Sequence, residues 1–177
     1  MSHEQADYDP LRPHEHDPNL TPPSEDPSFT LSLPNQMGMT ITLADLKILP
    51  KTTLPDCYIV SSGHGTSGPF SFTGARLLDL IQSRLLAGLA WSQVEVISAD
   101  GFGNRITAAE LLEPDPAGPM VLSYVIDGQA LTREQGLVRL IVPSEKDDAL
   151  RQVKWIGRIN VLEGGDEVNF HLSPRKR

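Results

Sequence analysis

Cysteine is nearly absent: Cys57 is the one thiol in 177 residues. A single thiol excludes an intramolecular disulfide, a cysteine-rich zinc centre and iron–sulfur ligand spacing. Aromatic residues are sparse at 6%, and 15 Lys and Arg are outnumbered by 23 Asp and Glu. No stripe of cations interleaved with aromatics occurs, so a nucleic-acid partner is not expected. Long apolar runs are missing too. None approaches the ~18–20 residues that cross a bilayer, and the start lacks the basic and apolar regions of a secretory leader. The expectation is a cytoplasmic chain with no membrane partner.

Proline and acid are abundant at one end. Residues 1–27 hold seven acidic side chains against one arginine, together with six prolines and almost no large apolar residue. That accounts for −6 of the net −8, so residues 28–177 carry −2 and are close to neutral. Such a composition cannot bury enough apolar surface to fold, and 1–27 reads as a disordered acidic tail. His14-Glu15-His16-Asp17 inside it could hold a metal weakly, but a solvated arm explains it as well. The rest is long enough for one domain with a proper core, placed at 28–172, with 173–177 as a frayed basic end.

Along that domain the pattern alternates more than it winds. Phe29–Leu33 and Thr40–Thr42 read as short strands. Thr42-Leu43-Ala44-Asp45 has capping-box spacing and predicts a short helix ending before Pro50. A helix over about 75–86 is predicted from Leu77, Leu78, Leu80, Ile81 and Leu85, with a C-terminal cap near Gly88. Val94–Ser98 and Arg105–Thr107, joined by the Asp100–Asn104 turn, read as a hairpin. Thr107 to Glu110 is a second capping box. Met120–Ile126 before Asp127-Gly128, Val138–Pro143 and Val153–Val161 complete the strands. The class is α+β, strand-rich, with a mixed sheet, short helices and no internal repeat.

The stretch richest in chemistry is Tyr58 to Gly74. A short apolar strand breaks into Gly63-His64-Gly65-Thr66-Ser67-Gly68, and a helix is expected after Gly74. Backbone N–H groups in such a loop can form a concave nest for an anion. An ordinary glycine-rich surface loop is the competing reading. Arg105, just past a turn, could reach a phosphate or sit as an exposed hairpin cation. Lys154 and Arg158 are four apart in an apolar strand and are expected on one face beside Trp155, which suits an anion. Ser61, Ser62 or Ser67 with His64 and Asp56 or Asp100 do not make a credible triad. No nucleophile elbow occurs, and sequence neighbours rarely have the required geometry.

Taken in order, the landmarks resemble a known family. They are the strand into Gly63–Gly68, then Phe72-Thr73-Gly74-Ala75-Arg76-Leu77-Leu78-Asp79, and Val96-Ile97-Ser98-Ala99-Asp100-Gly101-Phe102. Leu122 to Leu131, Arg139-Leu140-Ile141-Val142-Pro143 and Val153-Lys154-Trp155-Ile156-Gly157-Arg158-Ile159 follow. Over roughly residues 40–162 this set is similar to the molybdopterin-binding domain of sulfite oxidase-type oxidoreductases, in a small single-domain form. The resemblance implies an α+β fold and a pterin dithiolene cofactor carrying molybdenum, ligated by one protein cysteine. That cysteine position falls on Ser61 or Ser62. Cys57 lies before it and reads as a small, half-buried apolar residue. A serine hydroxyl is a poor substitute for thiolate. The resemblance places Ser61, Ser62, Gly63, His64, Gly65 and Thr66 at the cofactor, with Lys154, Arg158 and Arg105 holding phosphate or substrate. Two expectations stand: an oxidoreductase transferring an oxygen atom or electrons at molybdenum through serine ligation, with a separate redox partner protein; or a non-enzymatic module that keeps the fold and binds the pterin without metal, another anionic small molecule, or a protein.

Overall fold

Strands dominate because β-branched and aromatic residues alternate with polar ones through most of the chain. In the computed structural model, residues 22–61, 65–144 and 151–164 are described. In chain order the elements are β1 (Phe29–Ser32), β2 (Met39–Ile41), α1 (Leu43–Ile48), β3 (Lys51–Ser61), β4 (Gly65–Arg76), α2 (Leu77–Arg84) and β5 (Trp91–Ser98). There follow β6 (Gly103–Thr107), α3 (Ala108–Leu112), β7 (Val121–Ile126), β8 (Gln129–Ala130), β9 (Arg139–Ile141) and β10 (Ile156–Glu163).

Both capping boxes form as read. The Asp45 carboxylate accepts from Thr42 N–H at 2.8 Å while Thr42 Oγ1 accepts from Asp45 N–H, and Thr107 and Glu110 repeat the exchange. The helices α1 and α3 therefore each start with two of their orphan donors satisfied.

The strands make two sheets. The first has the order β2-β1-β10-β5-β6, with β1 and β10 parallel and the other neighbours antiparallel. The second has the order β3-β4-β7-β8, and β9 also pairs with β7, all antiparallel. The main core joins inward residues of the first sheet, such as Leu31, Val96 and Ile159, to Leu122, Tyr124 and Leu140 of the second and to helix residues Leu46, Leu77, Leu80 and Ile81. Alternation along β7 and β9 sends Val121 and Ile141 to the other face, and the register slip of β7 against β4 between Ser123 and Val125 resets the alternation so that Ile126 joins them. There they join Leu54, Phe72 and Leu131 in a smaller cluster, with Cys57, Ile59 and Phe70 at its margin.

Three expectations change. The strand leading into the glycine loop begins at Lys51, not Tyr58, because Pro55 and Asp56 are absorbed as an irregularity, with Asp56 at φ 55° and a register shift beside it. The glycine loop does not lead from strand to helix. It turns back as a hairpin, and β4 runs from Gly65 to Arg76 before α2 begins. Phe70, Ser71, Phe72 and Thr73 are strand formers, and pairing with both β3 and β7 outweighs the glycines around them. The last strand starts at Ile156, so Lys154 and Arg158 do not share one strand. A register shift against β5 between Ile156 and Arg158 resets the alternation.

Gly74 sits where the pairing of β4 with β7 slips by a residue. A methyl group there would overlap the Leu122 carbonyl oxygen and lie 2.7 Å from Ser123 Cα. Gly74→Ala should therefore cost about 3 kcal/mol or more in urea unfolding, since rigid backbone must move. A loss within about 0.5 kcal/mol would show that β4 and β7 do not approach this closely.

Candidate anion-binding site

The second face of the second sheet carries a charge that the apolar pattern would not place there. Arg139 lies in β9 between Val138 and Leu140, is 5% exposed, and points to the side of Phe72 and Ile141. Its guanidinium stacks over the Phe72 ring at 5.8 Å, and Nη2 donates to Gln152 Oε1 at 3.2 Å. Its Nε is buried with no acceptor.

A second cation faces it. Backbone bonds between Leu140 and Val153 make an antiparallel bridge, and that register puts Lys154 opposite Arg139. Lys154 is half-buried, and burial together with the Arg139 charge lowers its ammonium to about 8. Burial lowers Arg139 to about 10. Like charges directly opposite one another are unfavourable. Among the described residues, no carboxylate is paired with either. Two desolvated cations, an orphaned N–H and a neutral glutamine thus lie together, a set whose chemistry suits an oxyanion.

Space for Lys154 comes from Gly136, whose φ is +108°. A Cβ on Gly136 would lie 2.9 Å from Lys154 Cβ. Lys154 Nζ stands 5.5 Å from the centre of the Trp155 ring.

The other described residues singled out from the sequence lie apart from this pair. Ser61, Gly65 and Thr66 are at the turn end of the β3–β4 hairpin, with Ser61 opposite Gly65 and Val60 opposite Thr66. Seven residues separate Ser61 from Leu54, which pairs with Phe72, and that is roughly 20 Å along a strand. Ser62, Gly63 and His64 lie outside the described residues, as do His14 and His16. Arg105 belongs to β6 in the first sheet, where its Nε bonds Glu95 Oε2 at 3.2 Å. Arg158 is exposed in β10, between Thr30 and Ile97. Of the expected cations, only Lys154 is brought to the buried site. Arg139 and Gln152 were missed as site residues. An arginine alone inside Val-Arg-Leu-Ile-Val was the available signal, because a strand interior seldom buries an unpaired charge.

The metal end fits less well than the anion end. Cys57 is half-buried at the margin of the smaller cluster, and Sγ donates weakly to the Leu54 and Pro55 carbonyls at 3.6 and 3.8 Å. Burial, with the Asp56 charge, pushes its thiol upward, so it stays protonated at neutral pH. A thiol so held is a poor soft-metal ligand. Among the described residues, no group of three His, Cys, Asp or Glu side chains is arranged to hold a metal.

Two sheets around one core, with a cationic pair on the far face of one of them, define a strand-rich α+β domain. Residues 19–168 match the family model described as the oxidoreductase molybdopterin binding domain, and the chain belongs to that family. It is 27% identical over 164 residues to mitochondrial sulfite oxidase of Drosophila melanogaster, covering 77% of this chain and 27% of that protein. To the mitochondrial sulfite oxidase of Mus musculus it is 34% identical over 98 residues, or 51% of this chain and 17% of that one. The chain thus spans under a third of the length of these relatives. The sulfane dehydrogenase SoxCD of Paracoccus pantotrophus superposes with a TM-score of 0.60 at 17% identity, over 79% of this chain and 39% of that one, and confirms the fold.

Replacing Arg139 by methionine should stabilise the ligand-free protein in urea unfolding, by about 1 kcal/mol, because an uncompensated buried cation gives way to apolar volume. Loss of stability would instead mark the guanidinium as a structural member of the smaller cluster.

Proposed function

We propose that this chain is a pterin-binding module whose Arg139–Lys154 pair holds the phosphate of a molybdopterin-type cofactor. The observation that carries this reading is the pairing of two desolvated cations opposite one another with no carboxylate between them. An added anion removes the repulsion and satisfies Arg139 Nε together. The family supports the choice of a pterin phosphate over other oxyanions. When bound, the cofactor would supply redox chemistry at its metal. This chain's residues bind and orient its charged end: Arg139 as a fixed planar donor stacked on Phe72, Lys154 as a mobile point charge.

Oxygen-atom or electron transfer by the chain is the second reading. It requires Ser61 or Ser62 to ligate molybdenum, and a separate redox partner protein to exchange electrons. The protonated state of Cys57 favours the binding reading, since it leaves no thiolate among the described residues. The deciding measurement is molybdenum by elemental mass spectrometry together with pterin fluorescence after denaturation, on protein from a host that makes the cofactor. Pterin near one per chain, lost in Lys154→Met and Arg139→Met, supports the proposal. Stoichiometric metal that disappears in Ser61→Ala or Ser62→Ala moves the protein to the oxidoreductase reading. Absence of pterin and of any phosphate affinity would sink both.

A pH dependence follows from the charges. Lys154 titrates at about 8 in the fold, below its ordinary value of 10.5, so the folded protein loses that proton first. Ligand-free stability should therefore gain as pH rises between these values. Binding of inorganic phosphate needs the proton and should weaken over the same range. Calorimetric titration across that interval, with Lys154→Met as the flat control, checks the sign. Constant affinity through pH 9 would place Lys154 outside the binding site.

A further inference from the structure

Lys154 is followed by a residue in a conformation that L side chains seldom adopt. Trp155 has φ +48° and is 8% exposed, yet it belongs to neither hydrophobic cluster. Polar contacts hold it instead. Its indole Nε1–H donates to the Arg133 carbonyl at 2.6 Å. Its backbone N–H donates to the Gly136 carbonyl at 3.0 Å, and its carbonyl accepts from Ala99 N–H at 2.7 Å. A left-handed backbone costs energy in a bulky residue and persists only where neighbours enforce it.

The partner of that indole is itself anchored. Arg133 Nε donates to the Ser24 carbonyl at 3.1 Å and Nη2 to the Pro22 carbonyl at 3.0 Å, while Nη1 pairs with Glu25 at 3.0 Å. A segment 109 and 111 residues away in sequence is thus gathered onto the loop before β9 by one guanidinium. The sequence of contacts runs from Pro22–Glu25 to Arg133, from Arg133 to Trp155, and from Trp155 to Lys154.

We propose that Trp155 is the positioning residue that holds the Lys154 ammonium beside Arg139, and that Arg133, clamped by Pro22–Glu25, keeps Trp155 in place. The proposal rests on the anion-binding reading and adds to it the device that maintains the cation pair. Left to itself, a lysine opposite an arginine would swing its flexible stem into water and leave the repulsion behind. Three features oppose that escape. The backbone turn at Trp155 fixes where the Lys154 stem begins, the indole face attracts the ammonium, and the absence of a Cβ at Gly136 lets the stem lie against the loop. Arg139 in β9 is the one charge that acts on Lys154 among the described groups.

The test reads the Lys154 side chain directly, by its amine and Cε chemical shifts across a pH titration, with inorganic phosphate as the probe ligand. Trp155→Phe keeps a six-membered aromatic ring and removes the indole N–H together with the five-membered ring that carries it. The Lys154 midpoint should rise from about 8 toward 10.5 as the ammonium moves away from Arg139. Phosphate affinity should fall roughly three- to tenfold, the equivalent of one lost hydrogen bond. Arg133→Ala frees the strap without touching Trp155 and should move the midpoint the same way by less. It is also the deciding variant if Trp155→Phe does not fold. An unchanged Lys154 midpoint, whatever the loss in melting temperature, would make Trp155 a purely structural residue and overturn the proposal. Failure of the unmodified protein to bind phosphate would instead overturn the anion reading, and the titration would still decide the role of Trp155.

Discussion

Two positive charges, Arg139 in β9 and Lys154 in the segment before β10, repel, and the fold keeps them together. Arg139 and Lys154 face one another across the Leu140–Val153 bridge, with uncharged Gln152 accepting from Arg139. Burying an unpaired cation costs several kcal/mol, a large share of the net stability of a domain this size. Much of what surrounds the pair can be understood as holding it there. Phe72 offers a ring face to one cation and Trp155 to the other. Gly136 gives up a side chain to make room.

Construction of the site depends on how the two sheets divide the chain. The main core supplies cohesion, because inward residues of both sheets and three short helices meet in one cluster. The far face of the second sheet is only thinly apolar, six buried residues with three more at the margin. A thin apolar layer lowers the dielectric around Arg139 without enclosing it completely. That setting strengthens attraction to an incoming anion and is also what makes the empty pair unfavourable. The main core lies on one face of the second sheet and the cation pair on the other.

Local chemistry made much of this legible in the sequence. The capping boxes at Thr42 and Thr107 were readable because each helix start is settled within four residues. The Asp127-Gly128 turn was readable for the same reason, and its residues take φ 47° and 80°. Errors arose where pairing partners distant in sequence decide the outcome. Nothing within Gly65–Gly74 says that β3 and β7 flank it on both sides, and that pairing turns an expected loop into a strand. Lys154 was singled out beside Trp155, but the shared strand face with Arg158 expected for it does not form, since the alternation is interrupted before β10 begins. Arg139 was passed over because its pattern of neighbours resembles any buried strand. Its significance lies in the residue opposite, and register is not written in one strand alone.

The crossing at 152–156 has one more consequence. Val153 is bonded to Leu140 of the second sheet, and three residues later Ile156 pairs with Ser98 of the first, with Trp155 bonded to both Gly136 and Ala99 between them. The cation pair therefore sits on a seam where one short segment belongs to both halves of the molecule. An anion fastened there links the opening of one sheet to that of the other. Slow amide exchange would then spread on ligation from β9 into β5 and β10, which touch no ligand, and the two sheets would behave as a single cooperative unit.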